Sequence, residues 1–447
     1  MPNRPTARTL LAPLIIALLA IAVGCSTDTS DGGPDAPTQA GSPSATTSEP
    51  TGEVLTPEEI LQKDPGVTNH AELDWGAMFE LTGPLQGFGE PVADGLKMAV
   101  QEINDAGGFQ VGDTIYTINL IEHDTRSETT QALAIATELM RDNKVNIIWG
   151  PAAIGDPETT VLTQQNEVLH ICPCPERELT ALTSVEQVED QSRWAFQTLP
   201  AASRFLPPGA RNTRRDYPQF DTFATICVNS QTGKAFCDLF TDAYEEAGFE
   251  HVGEELFPAG TTDFSPFLTS LKGNGPDIIL NFTDAGIAQF SLLRQSWELD
   301  VGQYYIAVEL PYELFEGLVG GAGIRSKYVA AGAAPRGHAQ YTSLKARAFF
   351  EEKYKPFKGG TLPFAAFAAL LTYDPAYMLI AAMQRAGTVE DTTKIAQALE
   401  EVHFNGVGEN DMYFDHRHLM ISGNDSCLVY QGAMDCVHND FPEGAAE

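Results

Sequence analysis

The stretch LDWGAMFELTGPLQGFGEPVADGLKMAVQEINDAGG, residues 73–108, decides how this chain folds. Leu73 to Phe79 is apolar apart from Asp74 and reads as a buried strand. Pro91 to Ala106 puts Val92, Leu96, Ala99, Val100 and Ile103 on one helical face, and Gly107-Gly108 ends that helix. Between the two, Gly83, Gly87 and Gly89 let the backbone turn tightly and present amide groups near the helix start, a place suited to a carboxylate or another polar head. A plain turn without a ligand has the same composition. The run is no dinucleotide fingerprint: only Gly87-Phe88-Gly89 fits, Gly83 and Gly95 fall outside the spacing, and no acid follows at the expected strand end.

Outward from this unit the pattern repeats. Ile115 to Ile121 reads as a strand, Thr129 to Arg141 as a helix and Val145 to Trp149 as a strand. A second block follows, with strands Phe223 to Val228, Glu255 to Phe257, Asp277 to Phe282 and Tyr304 to Val308. Its helices are Lys234 to Ala247, Phe264 to Lys272 and Ala288 to Leu299, the middle one capped by Thr262 or Asp263. Two such arrays, in about 365 residues, imply an α/β fold of two doubly wound parallel-sheet lobes. Ligands of such sheets sit beyond the carboxyl ends of the strands, here the cleft between lobes.

The order of segments resembles the Leu/Ile/Val-type solute-binding proteins of ABC importers, in the type I periplasmic-binding-protein superfamily. The resemblance rests on Leu81 to Gly89, Asp94 to Val100, Glu102 to Gly108, Ile148-Trp149-Gly150-Pro151, Gly260 to Leu268 leading to Leu271-Lys272, Pro276 to Ile279, Leu293-Arg294-Gln295 and Tyr373-Asp374-Pro375-Ala376-Tyr377. It spans residues 73 to 436. It implies lobe 1 from residues 73–199 plus 331–411, lobe 2 from 200–330 plus 412–438, and a tail at 439–447. Three crossings would lie near Pro200-Ala201, Ala330-Ala331 and Asp411 to Phe414, closing around the solute in a form that a permease recognises. The family's ligand loops correspond to Gly150 to Gly155 and Cys172 to Arg177, so Ala152, Ala153, Cys174 and Pro175 would line the site, with Phe88 covering it. The family's serine and threonine are absent there, and each lost partner weakens an amino-acid head group by about 1 kcal/mol. In lobe 2, Asp284 falls near a position often aromatic, and Glu309 falls where an acid meets an ammonium. The implied ligand is a small polar metabolite: an amino acid, an amide or a relative. The implied protein is a monomer, without cofactor or catalysis; a sensory receptor of the same fold is the alternative.

Upstream, Arg4 and Arg8 precede an apolar stretch from Leu10 to Val23, the pattern of an export signal. Ile21-Ala22-Val23-Gly24-Cys25 resembles the bacterial lipobox, although Ala22 stands where leucine is usual, so residues 1–24 read as a lipoprotein signal and Cys25 as the lipid carrier. Residues 25–72 form a tether: Ser26 to Gly52 is rich in Ser, Thr, Pro and Gly, without aromatic residues, and Val54 to Lys63 makes a helical turn or two. The expected location is the extracytoplasmic face of the cell membrane, with the anchor as sole membrane contact, because the longest later apolar run, Leu362 to Leu371, has core-helix length. Removing residues 1–24 takes away two arginines and no acid, leaving 25 basic against 61 acidic residues and a formal charge of −36. Such a surface excludes nucleic acid as a partner.

Seven cysteines include Cys25; the other six admit about fifteen pairings. Proximity favours Cys427 with Cys436, around a turn at Gln431-Gly432, and Cys227 with Cys237. His170-Ile171-Cys172-Pro173-Cys174 has two readings. Two thiolates and an imidazole suit copper(I) or zinc, which would make this a metal or redox lipoprotein. Alternatively Cys172 and Cys174 form a local disulfide or remain thiols, no fourth ligand following at zinc spacing. His416-Arg417-His418 reads as an exposed turn, and no nucleophile elbow, HExxH or phosphate loop is present.

Overall fold

Alternating burial along each strand builds the molecule. In Asn69–Phe79, Trp75, Ala77 and Phe79 face one core while Met78 faces another. In Ile147–Trp149 the outer two residues face the first core and Ile148 the second. The computed structural model describes residues 54–154, 156–174, 188, 190–199, 202–283, 286–302, 304–307, 328–334, 346, 348–363, 365–408, 410–422, 424–430 and 433–439. The signal, Cys25 and the tether before residue 54 lie outside them; residues 54–72, expected to belong to the tether, are instead folded onto the first core, Val54–Leu55 pairing with His403–Phe404 and Ile60 being buried.

The elements are β1 (Val54–Leu55), α1 (Pro57–Ile60), β2 (Asn69–Phe79), α2 (Gln86–Asp105), β3 (Phe109–Val111), β4 (Thr114–Asp124), α3 (Thr129–Arg141), β5 (Ile147–Trp149), α4 (Asp156–Asn166), β6 (Leu169–Cys172) and β7 (Ala195–Gln197). A second series follows: α5 (Ala202–Asp216), β8 (Thr222–Val228), α6 (Gln231–Glu246), β9 (Glu250–Phe257), α7 (Ser265–Lys272), β10 (Ile278–Phe282), α8 (Gly286–Glu298), β11 (Tyr304–Ala307) and β12 (Tyr328–Ala334). Past a π-helical turn at Phe349–Tyr354 come α9 (Leu370–Ala386), α10 (Thr392–Leu399), β13 (His403–Phe404), β14 (Tyr413–Phe414), β15 (Met420–Ile421), β16 (Asn424–Tyr430) and β17 (Ala433–Asn439). Strands and helices fall where the periodicity places them, with longer ends. The helix expected from Pro91 begins at Gln86, so Gly87 and Gly89 are helical. A Cβ on Gly89 would lie 2.5 Å from the Glu80 carbonyl oxygen, so only glycine brings this first turn so close to the end of β2.

Six strands form one sheet in the order β3-β4-β2-β5-β6-β7, and seven form another in the order β17-β16-β12-β11-β10-β8-β9. Apart from β3 in the first and the β16–β17 hairpin in the second, neighbours run parallel. Helices pack on both faces: around the second sheet, Phe236, Phe240 and Leu280 fill one side while Leu268, Ile279 and Leu292 fill the other. Both sheets are doubly wound, the type I periplasmic-binding-protein architecture the resemblance implied.

The first sheet's large core is completed from far along the chain. Every residue of α9 from Leu370 to Met383 is buried. Gly95 of α2 admits this packing, since a Cβ there would lie 1.9 Å from the Ala369 carbonyl oxygen. Ala366–Ala386 is long and apolar enough to cross a membrane, which exceeds the core-helix length expected, yet 94% of its window is buried inside the protein. Ala330 and Ala331 lie within β12, paired with Ile306 and Ala307, rather than at a crossing. Met412, Phe414 and Met420 pack into the first core, and Leu419 bridges Gln197 beside β7. The turn at His416 to His418 is exposed only in part: His418 is buried, stacked on Phe196 at 4.0 Å, its Nδ1 facing the Ala195 carbonyl and its Nε2 facing the Glu400 carboxylate.

Candidate functional site

The winding order locates the site before any side chain is considered. In the first sheet the chain passes from β2 to β4 on one side and then to β5 on the other, so the order reverses between β2 and β5. In the second it reverses likewise between β8 and β10. Crevices at the carboxyl ends of such strand pairs are where open α/β sheets take their ligands.

At the first reversal stands Glu80, the residue after β2, with none of its surface exposed. The Ala152 amide donates to its Oε2 at 3.1 Å and the Ala153 amide to its Oε1 at 3.2 Å, and the Ile154 amide also bonds to it. Burial pushes its carboxyl above the ordinary value, and these amide bonds only partly oppose that. Beside it, at the end of β4, Asp124 accepts from the amides of Leu81 (3.0 Å), Thr82 (3.1 Å) and Arg126 (2.8 Å) and from the Thr82 hydroxyl (2.6 Å). Desolvation raises the Asp124 carboxyl, but these bonds together outweigh it and leave it below the ordinary value. The amides of the loop after β5, expected to line the ligand site, are therefore turned toward the protein's own Glu80.

Ala152 is buried and Ala153 half-buried, both against Glu80. Phe88, half-buried in the first turn of α2, lies 6.2 Å from the Phe367 ring. Cys174 is buried and disulfide-bonded to Cys172. The Cys172 sulfur is 3.5 Å from the Pro151 carbonyl oxygen, so the loops after β5 and β6 adjoin. Pro175, Asp284 and Glu309 lie outside the described residues. The metal reading of His170, Cys172 and Cys174 fails on this geometry. The sulfurs bond to each other, His170 is buried with Nδ1 at 3.2 Å from the Thr160 hydroxyl and Nε2 at 2.9 Å from the Gly150 carbonyl, and no group of metal-ligating side chains occurs among the described residues.

The second reversal is built differently. Cys227, in β8, is bonded to Cys237 in α6, as proximity suggested. Phe236 stacks on Phe282 at 4.1 Å, closing the same end of β10. Cys427 faces Cys436 in the β16–β17 register, their side chains lying outside the described residues.

Glu80 and Asp124 escaped the sequence reading. For Glu80 the available signal was an acid directly after an apolar strand, where a solvated residue has the same sequence appearance; Asp124, the last residue of β4, carried none.

A profile of the periplasmic binding protein family matches residues 75–424, and the chain belongs to that family. Its members are solute-binding proteins, not enzymes. A Leu/Ile/Val-binding protein homolog of Brucella melitensis is 23% identical over 338 residues, covering 74% of this chain and 84% of the relative. Two solved structures share the fold. The branched-chain amino acid transporter substrate-binding protein LivJ of Streptococcus pneumoniae, in complex with isoleucine, has TM-score 0.65 at 23% identity and covers 82% of this chain and 100% of its own. An ABC-transporter solute-binding protein of Rhodopseudomonas palustris, in complex with 3,4-dihydroxybenzoic acid, has TM-score 0.65 at 18% identity and covers 83% and 99%.

Proposed function

We propose that this protein captures a small polar metabolite, an amino acid, an amide or a relative, between two lobes and delivers it to an ABC permease. The observation that carries this reading is the pair of like-wound sheets, each with a reversal point, the place where open α/β sheets take their ligands. The first lobe comprises residues 54–199 and the later segment containing α9 to β15; the second comprises 200–334 and the β16–β17 hairpin. The crossings then fall after Leu199, after Ala334 and between Ile421 and Asn424, and solute binding shifts the pair toward a closed state. Glu309, just past β11, meets an amine of the solute, and Asp284, Phe88 and Pro175 line the same cleft. Cys25 carries lipid and holds a monomer at the extracytoplasmic face.

Thermal unfolding against amino acids, amides, polyamines, sugars and small carboxylates tests the reading. A solute at a hundredfold its dissociation constant adds about 2.7 kcal/mol and raises the midpoint visibly. One chemical family raising it is the expected result; a panel in which nothing does removes solute capture. Glu309→Gln weakens an amine-bearing solute severalfold, and unchanged affinity takes Glu309 out of the site.

A further inference from the structure

The first reversal point presents an unusual arrangement: the amides of Ala152, Ala153 and Ile154 converge on a carboxylate, and that carboxylate belongs to the protein. Converging backbone amides at a strand end form an anion cradle. Here the anion is Glu80, supplied by the neighbouring strand across the β2–β5 reversal. The adjoining loop repeats the pattern, because Asp124 takes the amides of Leu81, Thr82 and Arg126. Further along that loop the Leu85 amide donates to the Ser127 hydroxyl, and those of Phe88 and Gly89 to the Leu85 carbonyl.

The fold maintains this arrangement at a cost. Burial raises the Glu80 carboxyl in the folded state. The sign is therefore that of an acid whose favourable contribution is complete below its unfolded value and lost as pH rises through the folded one. Burial disfavours the charged form of Glu80, and the amides of Ala152, Ala153 and Ile154 offset that only in part. Local costs of this kind collect at functional positions.

We propose that Glu80 is a specificity determinant: it fills the amide cradle of the loop after β5 in place of a ligand carboxylate, so the first lobe takes a solute that brings no carboxylate there, a neutral amide or an amine. This rests on solute capture as proposed above and narrows its substrate class. A ligand carboxylate at this end would have to displace Glu80 from its amides or sit beside a like charge, and Asp124 adds a second. The formal charge of −36 without residues 1–24 acts in the same sense, disfavouring the approach of anions.

The test uses the full chain and three variants. Wild type is unfolded thermally with matched pairs: isoleucine and 2-methylbutylamine, benzoate and benzamide, formate and formamide. Glu80→Ala, Glu80→Gln and, as a control, Glu351→Ala on the exposed surface are unfolded with formate and formamide at equal ionic strength. The expected result is that wild type responds to no carboxylate beyond the effect of sodium chloride. Glu80→Ala unfolds several degrees lower and recovers at least half of that loss with saturating formate and none with formamide. Glu80→Gln, whose side chain still occupies the cradle, and the control gain nothing from formate. Saturable stabilisation of wild type by isoleucine, benzoate or formate overturns the proposal while leaving solute capture standing. A folded Glu80→Ala that ignores formate overturns it too. If Glu80→Ala does not fold, the wild-type pairs decide: a member without a carboxylate that stabilises, beside an inert carboxylate twin, supports the proposal, and any other pattern overturns it. If no solute stabilises wild type, solute capture fails while the formate arm still decides what Glu80 occupies.

Discussion

The two reversal points share one winding and differ in every contact that finishes them. At β2–β5 the strand ends are joined by a buried carboxylate and backbone amides. At β8–β10 they are joined by a disulfide to the following helix and by a stacked pair of phenylalanines. The first arrangement is polar and holds its loops by directional bonds that a competing anion can test; the second is covalent and apolar, and fixes one helix on its strand. The scaffold thus decides where a site lies, and a few residues at the strand ends decide what it accepts.

The interiors differ in the same sense. Each sheet has a core on either face, but in the first one of the two is far the larger, running from Ile60 to Met420 around α9, whereas the second sheet's two cores are similar in size. The largest expected effect follows from that contrast. Leu379→Ala, in the fully buried stretch of α9, costs about 2–5 kcal/mol and lowers the unfolding of the first sheet while leaving the second nearly unchanged. Denaturant titration followed by site-specific probes on each sheet checks this, and equal shifts at both would show the regions to be a single cooperative unit. Next in size is the covalent tie of the second region. Replacing Cys227 and Cys237 together by serine lowers its stability by about 2–4 kcal/mol, read from the same titration, and a loss confined to the first sheet would contradict the assignment of that bond. The smallest effect tests the polar finish. Because the Asp124 carboxyl lies below its ordinary value of 3.8, the stability it adds is present above that value and disappears as pH falls through the folded one. Asp124→Asn therefore costs about 1 kcal/mol near neutrality and nothing in strong acid. Unfolding midpoints of the two proteins converge on acidification, and parallel curves would remove the carboxylate from that role.

The strand and helix order was legible because the apolar period changes from two to about 3.6 at each joint. The glycine turn was legible as a special place, but not its occupant. Glu80 follows Phe79 as any solvated acid follows a strand, and its partners at Ala152 and Ala153 come near only when β5 pairs with β2, a closure that no local pattern encodes. His418 shows the same limit in reverse: polar neighbours made it look exposed, while pairing beside β7 buried it. Cys227 and Cys237 were readable because their joint is local, one strand and the helix after it. For Ala330 and Ala331 the resemblance implied a nearby crossing, and strand pairing takes both residues into β12.

The position of α9 also orders events in time. During synthesis β2 is among the first folded elements to emerge, yet its core stays incomplete until Met420 has followed. At about 5–20 residues per second that interval lasts roughly tens of seconds. The block from β8 to β11 carries its own helices on both faces and can close while the earlier strands still wait, so the end of the chain that is made first is buried last.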